Sequence, residues 1–173
     1  NENIVIGMVG SFSEQKNQKF LIEVLADLPI NYFLRFAGNG KTLESIKNYT
    51  DQVCLKDRVQ FCGLISDIPS FYDDLDIYIH AAHWEGFGLT IIEAIASGLP
   101  VLASNVSGLK EIIEPTYLFN NDEKSNLVKL IENIFIDKKL IDLENLYKNS
   151  KEAFDITVMV KRYESKYKLI KNG

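Results

Sequence analysis

Short apolar segments that end in glycine alternate along this chain with segments whose apolar residues recur at helical spacing. The first pair is typical, since an apolar run from Ile4 to Val9 ends at Gly10 and a helical pattern follows from Glu14 to Leu28. Continuous apolar runs are typical of strands that helices cover on both faces of a parallel sheet. The pattern therefore predicts an α/β, Rossmann-like three-layer domain with a mainly parallel sheet.

The same rhythm predicts the remaining elements. Strands are predicted at 32–37, 59–62, 77–81, 101–103 and 117–119. Helices are predicted at 41–49, 68–74, 89–97, 124–136, 139–154 and 157–170, with a helical turn at 110–113. The chain of 173 residues has no internal repeat and no linker rich in Pro, Gly or Ser, so residues 1–173 are predicted to form one domain.

Composition excludes several classes of protein. The net charge of −5 argues against a nucleic-acid-binding protein, which needs surplus Lys and Arg to neutralise phosphates. Cys54 and Cys62 lack the spacing of a zinc site or a disulfide framework, and no apolar run is long enough to span a bilayer, so a cytoplasmic setting is expected. Basic residues cluster at 161–171, which indicates a solvated helix face or, as the alternative, a peripheral contact with the inner membrane surface.

The most informative segment is the loop that joins the fourth predicted strand to the helix at 89–97. Gly86 and Gly88 lie in this loop, where bare backbone N–H groups can approach an anion beside a helix N-terminus. Glu85 and Glu93 flank it with seven residues between them, and a carboxylate can accept bonds from two neighbouring sugar hydroxyls. The alternative is that Glu85 is a surface acid and that Glu93 only favours the helix dipole.

The amino-acid sequence of this segment resembles the signature of the family 4 retaining glycosyltransferases, which have the GT-B fold. The resemblance rests on Glu-Gly-Phe-Gly-Leu at 85–89, Glu93, and the Gly-Leu-Pro-Val that follows at 98–101. Supporting segments occur in order at 10–17, 36–40, 59–63, 76–80 and 107–113. The resemblance is specific over residues 4–113 and looser to residue 170.

The resemblance implies roles for individual residues in binding a nucleotide-diphospho-sugar. Glu93 would hold the ribose, and the N–H groups of Gly88 and Leu89 would bind the distal phosphate. Glu85, with its neighbours Gly86 and Phe87, would contact the transferred sugar. The nucleobase would lie by the Gly38 loop and the residues after the third strand, Gly63, Leu64 and Ile65. Gly10 and Ser11, after the first strand, also belong to the implied donor-binding set.

Lys16 stands where this family uses a lysine to neutralise the diphosphate, whose negative charge grows as the glycosidic bond breaks. Without the resemblance, Lys16 would be an exposed lysine at a helix entry. Many members add an arginine at the position of Ser11, and serine brings no charge. Either Lys16 and the helix N-terminus suffice to neutralise the diphosphate, or donor affinity and turnover are weaker. His80, at a strand end, is better placed for a role than His83, although lone histidines are usually packed or exposed.

The resemblance therefore implies the donor-binding half of a hexosyltransferase, with an acceptor domain N-terminal to it. We expect a nucleotide-sugar donor, UDP-sugar in preference to GDP-sugar, no metal and no cofactor, and a glycan or lipid-linked acceptor, as in the assembly of capsule or other bacterial surface polysaccharide. This half alone is expected to be inactive. The alternatives are half of a nucleotide-sugar epimerase and a non-catalytic binding module. No Gly-x-Gly-x-x-Gly follows the first strand, which argues against a dehydrogenase.

Overall fold

The computed structural model describes residues 3–110 and 112–136. They form a six-stranded sheet in the order β3-β2-β1-β4-β5-β6, with every neighbouring pair parallel. The strands are β1 Ile4–Val9, β2 Tyr32–Ala37, β3 Val59–Gly63, β4 Ile77–His80, β5 Val101–Ser104 and β6 Leu118–Phe119. The helices are α1 Gln18–Asp27, α2 Leu43–Gln52, α3 Ile68–Asp73, α4 Leu89–Ala96 and α5 Lys124–Ile136. The predicted α/β class with a mainly parallel sheet is confirmed.

Two apolar cores lie on the two faces of the sheet, as a doubly wound arrangement requires. On one face Ile6 and Met8 of β1 pack with apolar residues of α1, α2 and α5. On the other face α3 and α4 cover β4 and β5 through side chains such as Tyr72 and Ile91. All four residues of β4 and of β5 are buried, because helices cover these strands on both sides.

The predicted element bounds agree with the structure to within a few residues, with one exception. Residues 14–28 were expected to form one helix, but a 3-10 turn at Glu14–Lys16 is separated from α1 by Asn17. Asn17 has a left-handed backbone with φ 53°, which asparagine tolerates better than most residues, and this conformation ends the first turn. That prediction was wrong because apolar spacing carries no information about a single left-handed residue.

Two smaller outcomes concern the end of the chain. At the turn expected at 110–113, the Ile113 N–H donates to the Leu109 carbonyl at 2.9 Å, a bond of helical spacing. The helices predicted at 139–154 and 157–170, and the basic cluster at 161–171, lie outside the described residues.

The ends of β1 and β2 approach each other closely at Gly38. Its backbone has φ 139°, and a Cβ atom added there would lie 1.9 Å from the carbonyl oxygen of Gly10. The Gly38 N–H also donates to the Gly63 carbonyl at 2.7 Å, so the ends of β2 and β3 are joined at this point. Only glycine lets the first three strand ends converge in this way.

We predict that Gly38→Ala destabilises the fold by about 2–4 kcal/mol, because an added methyl group must displace backbone and occupy an unfavourable φ. Gly86→Ala is the matched control, since a Cβ atom at Gly86 meets no atom within 4 Å. Urea unfolding followed by circular dichroism measures both. Equal midpoints for the two variants would show that the contact at Gly38 carries no constraint.

Candidate functional site

Lys16, His80 and Glu85 meet at the carboxyl edge of the sheet, between the turn after β1 and the loop after β4. The Lys16 ammonium forms an ion pair with Glu85 Oε2, and His80 Nε2 lies 2.9 Å from the same oxygen. The side chains of Lys16 and Glu85 are only 15% and 13% exposed, and that of His80 is fully buried. The sequence predicted roles for Lys16 and Glu85, and the structure brings the two into direct contact.

The side chain of Lys16 packs over Gly10. A Cβ atom added at Gly10 would lie 3.5 to 3.6 Å from three of the Lys16 carbons, which is an ordinary van der Waals distance. The 3-10 turn that ends at Lys16, and the left-handed Asn17 after it, direct the side chain back across the end of β1. The site therefore depends on the same break that divides the predicted first helix.

Glu85 is also held by the loop in which it lies. Its Oε1 accepts a bond from the Gly86 N–H at 3.1 Å, while Oε2 faces Lys16 and His80. Gly88 follows with φ 73° and forms the N-cap of α4, and the Ile91 N–H makes a 2.9 Å bond back to the Gly88 carbonyl. The amides at Gly88 and Leu89 precede that bond, so they lie at the positive end of the helix.

The charges in this cluster follow from the contacts. Burial would raise the pKa of Glu85, but hydrogen bonds from Lys16 and His80 outweigh it and lower this pKa to about 2. Burial, and then the nearby charge of Lys16, lower the pKa of His80 to about 4, although Glu85 acts in the opposite direction. At neutral pH the cluster therefore holds an ammonium, a carboxylate and a neutral imidazole.

The imidazole of His80 contacts a set of hydroxyl groups that connects it to α4. Its Nδ1 lies 3.4 Å from the hydroxyl of Tyr78, and that hydroxyl donates to Thr90 Oγ1 at 2.9 Å. Burial raises the pKa of Tyr78, so its hydroxyl keeps its proton at neutral pH. This network fixes the imidazole against the first turn of α4.

Glu93 lies on the same helix and is held by a second tyrosine. The hydroxyl of Tyr72 in α3 lies 3.0 Å from Glu93 Oε2 and 3.1 Å from the Thr90 carbonyl, and can donate to either. Thr90 thus joins the two tyrosines, and an unbroken set of contacts runs from Glu85 through His80 to Glu93. The two glutamates predicted to act on one ligand belong to one connected network.

A cavity of about 270 Å³ opens beside this network, at the ends of β1 and β2. Several of the residues predicted to surround the nucleobase line it, and Gly10 joins it to the Lys16 side chain. Gly63 is not in the lining but supports it through its bond to the Gly38 N–H. The lining residues are Val9, Gly10, Ser11, Ala37, Gly38, Asn39, Leu64, Ile65 and Ile68.

A second cavity, of about 300 Å³, lies at the opposite edge of the sheet, where β1, β2 and β3 begin. The one Asp-x-Asp sequence near it, Asp74 to Asp76, also lies at this amino edge. Asp74 binds Arg35, and Asp76 accepts the Val5 N–H at 2.7 Å. Both aspartates are therefore engaged in the fold, away from the glycine loops.

Ser11 and His83 complete the set of predicted residues. Ser11 is exposed at the cavity rim, and its carbonyl accepts a bond from the buried Gln18 side chain at 3.0 Å. His83 is exposed, and its backbone N–H donates to the Gln15 carbonyl at 2.8 Å. The imidazole ring of His83 takes no part in the cluster of Lys16, His80 and Glu85. Phe87 and Leu89 are 46% and 64% exposed at the entrance to the site.

Sequence reasoning missed Tyr72, Tyr78 and Thr90. The two tyrosines fit the apolar pattern of α3 and β4, and nothing in that pattern shows where their hydroxyls point. Among residues 3–110 and 112–136 no group of three or more His, Cys, Asp or Glu could hold a metal ion. Within that same part of the chain, every helix is too short or too polar to cross a bilayer.

The fold is a doubly wound α/β domain in which a glycine-containing loop precedes a helix N-terminus at the carboxyl edge of the sheet. Residues 1–153 match the family described as Glycosyl transferases group 1, and the chain belongs to this family. The predicted fold class, one Rossmann-like half of a GT-B fold, is confirmed by the solved structures it resembles.

Three known proteins illustrate the similarity. The chain is 33% identical over 158 residues to protein CapJ of Staphylococcus aureus, matching 86% of this chain and 39% of CapJ. It is 26% identical over 176 residues to an Escherichia coli UDP-Gal:alpha-D-GlcNAc-diphosphoundecaprenol alpha-1,3-galactosyltransferase, matching 95% of this chain and 45% of that enzyme. The structure of Alr3699/HepE of Anabaena in complex with UDP-glucose has a TM-score of 0.88 and 25% identity, over 96% of this chain and 49% of that one. The chain thus spans less than half the length of these proteins.

The charge state of His80 predicts how stability depends on pH. An ordinary histidine in the unfolded chain has a pKa near 6.5, whereas that of folded His80 is about 4. Protons therefore bind the unfolded state first, and the free energy of unfolding should fall by about 3 kcal/mol as the pH is lowered from 6.5 to 4.

Urea unfolding between pH 7 and pH 4 tests this. His80→Gln should remove most of the loss in that range, because glutamine does not titrate, while Glu85, with its depressed pKa, contributes only below about pH 4.5. His83→Gln is the matched control and should leave the loss unchanged, since His83 is exposed. A profile that responds equally to both variants would contradict the assignment.

Proposed function

We propose that this chain is the donor-binding half of a retaining family 4 glycosyltransferase, which binds a nucleotide-diphospho-sugar and prefers UDP-sugar to GDP-sugar. One observation carries the proposal. A largely buried ion pair of Lys16 and Glu85 lies between a cavity at the ends of β1 and β2 and the N-terminus of α4. A base could occupy the cavity, with the diphosphate between Lys16 and the helix N-terminus and the sugar against Glu85.

The cavity suits a nucleobase. Its sides include the apolar residues Val9, Leu64, Ile65 and Ile68, and its end is formed by backbone at Gly38 and Asn39. Apolar sides can cover the faces of a planar base, while backbone N–H and C=O groups can bind its edge. Leu64 is 81% exposed, so a bound base would also cover an apolar side chain that is otherwise in water.

The diphosphate would lie between Lys16 and the start of α4. Amides at Gly88 and Leu89 and the helix dipole attract an anion, and the Lys16 ammonium supplies a full charge. When the glycosidic bond breaks, negative charge collects on the leaving diphosphate, and these groups stabilise it more in the transition state than in the ground state. The proposal needs no metal, because these groups would carry that charge.

The two carboxylates would hold the two sugars of the donor. Glu93 would accept bonds from the ribose hydroxyls, with its Oε2 already oriented by Tyr72. Glu85, together with Gly86 and Phe87, would contact the transferred hexose. The low pKa of Glu85 keeps it an acceptor at neutral pH, which suits hydroxyl donors.

Donor binding must separate Lys16 from Glu85, because the ammonium would turn toward the diphosphate and the carboxylate toward the sugar. Exchanging one charged partner for another costs little if both groups gain new hydrogen bonds. Ser11 contributes no charge at the cavity rim, so Lys16 is the cation on which this exchange would depend.

The acceptor would be bound by the part of the enzyme that this chain does not span, since its relatives are more than twice as long as the matched segment. Relatives named for capsule and O-antigen proteins and for a galactosyl transfer to a lipid-linked sugar support a role in assembling bacterial surface polysaccharide. The donor would then be used on the cytoplasmic side, with peripheral contact at the inner face of the membrane. This half alone would bind donor without transferring sugar.

A non-catalytic binding module is the second candidate. Ser11, in place of a charged residue, and the mutual neutralisation of Lys16 and Glu85 favour it. Calorimetry with UDP and GDP separates the two candidates: a catalytic donor half should bind UDP more tightly than GDP, whereas a degenerate module should bind neither.

Removing the carboxylate of Glu93 should weaken UDP binding by about 1–3 kcal/mol, because charged hydrogen bonds to the ribose are lost. Calorimetry of Glu93→Ala measures the change, and Glu44→Ala, which removes an exposed glutamate of α2, is the control. The variant and the unchanged chain should bind 2′,3′-dideoxy-UDP equally. If Glu93→Ala weakens binding of the dideoxy nucleotide as much as that of UDP, Glu93 supports the fold and does not bind the ribose hydroxyls.

Lys16→Met should raise the dissociation constant for UDP by at least about tenfold and change that for uridine little, because only UDP carries the diphosphate that needs a cation. Methionine keeps the length of the side chain and removes its charge. Lys19→Met is the control, since Lys19 is exposed and pairs with Glu23. Equal losses of affinity for UDP and uridine would show that Lys16 supports the structure of the site and does not contact the diphosphate.

A further inference from the structure

His80 is a buried, ionisable side chain at the centre of the site, and the proposed function so far gives it no task. It is fully buried at the end of β4, beneath the ion pair of Lys16 and Glu85. Both ring nitrogens are engaged, Nε2 with Glu85 Oε2 at 2.9 Å and Nδ1 with the Tyr78 hydroxyl at 3.4 Å. A polar side chain without solvent access is held in one orientation by such contacts.

The contact with Glu85 determines where the imidazole carries its proton. A carboxylate oxygen can only accept a hydrogen bond, so a 2.9 Å contact requires the proton on Nε2. Nδ1 then presents its lone pair to the Tyr78 hydroxyl at 3.4 Å, a longer contact than the 2.9 Å bond from that hydroxyl to Thr90 Oγ1. Burial and the charge of Lys16 lower the pKa of His80 to about 4, so the ring is a neutral donor at the pH of a cell.

Two donors thus share Glu85 Oε2, and they differ in their freedom to move. Lys16 ends a four-carbon chain whose tip is partly exposed, and its ammonium lies 3.5 Å from His80 Nε2. His80 is fixed in a strand, between the Tyr78 hydroxyl and the Glu85 loop. If Lys16 turns toward a diphosphate, His80 is the side-chain donor that stays with Glu85.

We propose that His80 is a positioning residue that holds the Glu85 carboxylate toward the sugar of the donor after Lys16 has moved to the diphosphate. This inference rests on the proposed function, because it assumes that Glu85 binds sugar and Lys16 binds phosphate. A neutral donor suits the task, since it orients the carboxylate and leaves its charge available to the sugar hydroxyls. Oε1, with one bond from the Gly86 N–H, still has room to accept another.

Two amide substitutions separate this role from simple packing. In His80→Gln the amide nitrogen reaches the place of Nε2 and can still donate to Glu85, whereas in His80→Asn it is one methylene too short. Both variants bury a neutral amide of similar polarity, so a packing role alone predicts similar effects. His80→Leu adds a third variant that fills the space without any polar group.

The measurement is the ratio of the dissociation constants for UDP-sugar and UDP, determined by calorimetry on the full chain. UDP-glucose, UDP-galactose and UDP-N-acetylglucosamine are the probes, and Glu85→Gln shows which ratio depends on the sugar contact. For that sugar, His80→Asn and His80→Leu should change the ratio by about fivefold to tenfold in the direction of Glu85→Gln, as expected for one lost hydrogen bond. His80→Gln should stay within about twofold of the unchanged chain, and UDP itself should bind all three variants nearly alike.

Each other outcome has a definite meaning. Equal ratios for His80→Asn and His80→Gln would overturn the role of His80 and leave the proposed function intact, provided that UDP binding still depends on Lys16 and Glu93. A chain that binds no UDP, or whose ratios ignore Glu85→Gln for every sugar, would overturn both. If His80→Leu does not fold, the comparison of the two amides decides the question alone.

Discussion

The ion pair between Lys16 and Glu85 is the interaction on which the site depends. It joins the turn after β1 to the loop after β4, two neighbouring strands at which the strand order of the sheet reverses. Both side chains are largely buried, so either charge alone would be costly to keep in place. The pair therefore fixes the two loops relative to each other. In the proposed donor complex Lys16 would exchange Glu85 for a diphosphate, and Glu85 would exchange Lys16 for neutral sugar hydroxyls.

Much of the fold could be predicted from sequence because the core of a parallel sheet leaves a direct pattern. Strands such as Ile77–His80 and Val101–Ser104 are buried on both faces and therefore appear as apolar runs. The break at Asn17 could not be predicted, because one left-handed residue leaves the spacing of the apolar residues around it unchanged. That break matters for the site, since it directs Lys16 back over Gly10.

One part of the site could likewise be predicted from the sequence, and another part could not. Glu85 and Lys16 follow strand ends, and parallel strands bring their carboxyl ends to one edge, so their proximity could be expected from the loops alone. The supporting hydroxyls could not, because Tyr72 and Tyr78 lie within elements whose pattern is that of a core. Whether a buried tyrosine hydroxyl points at a carboxylate or at a backbone carbonyl depends on packing between α3, β4 and α4, which no local pattern records.

Under the proposed function, the charges of the cluster give a reason for sugar and phosphate to be recognised together. Lys16, Glu85 and a neutral His80 have no net charge, and the low pKa of Glu85 means that its negative charge would persist beside a diphosphate. That carboxylate would repel the phosphates in part against the attraction of Lys16 and the α4 amides, and Ser11 adds no second cation. A sugar nucleotide, unlike a nucleoside diphosphate alone, would bring hydroxyls that donate to Glu85 and compensate this repulsion, with His80 holding the carboxylate toward them.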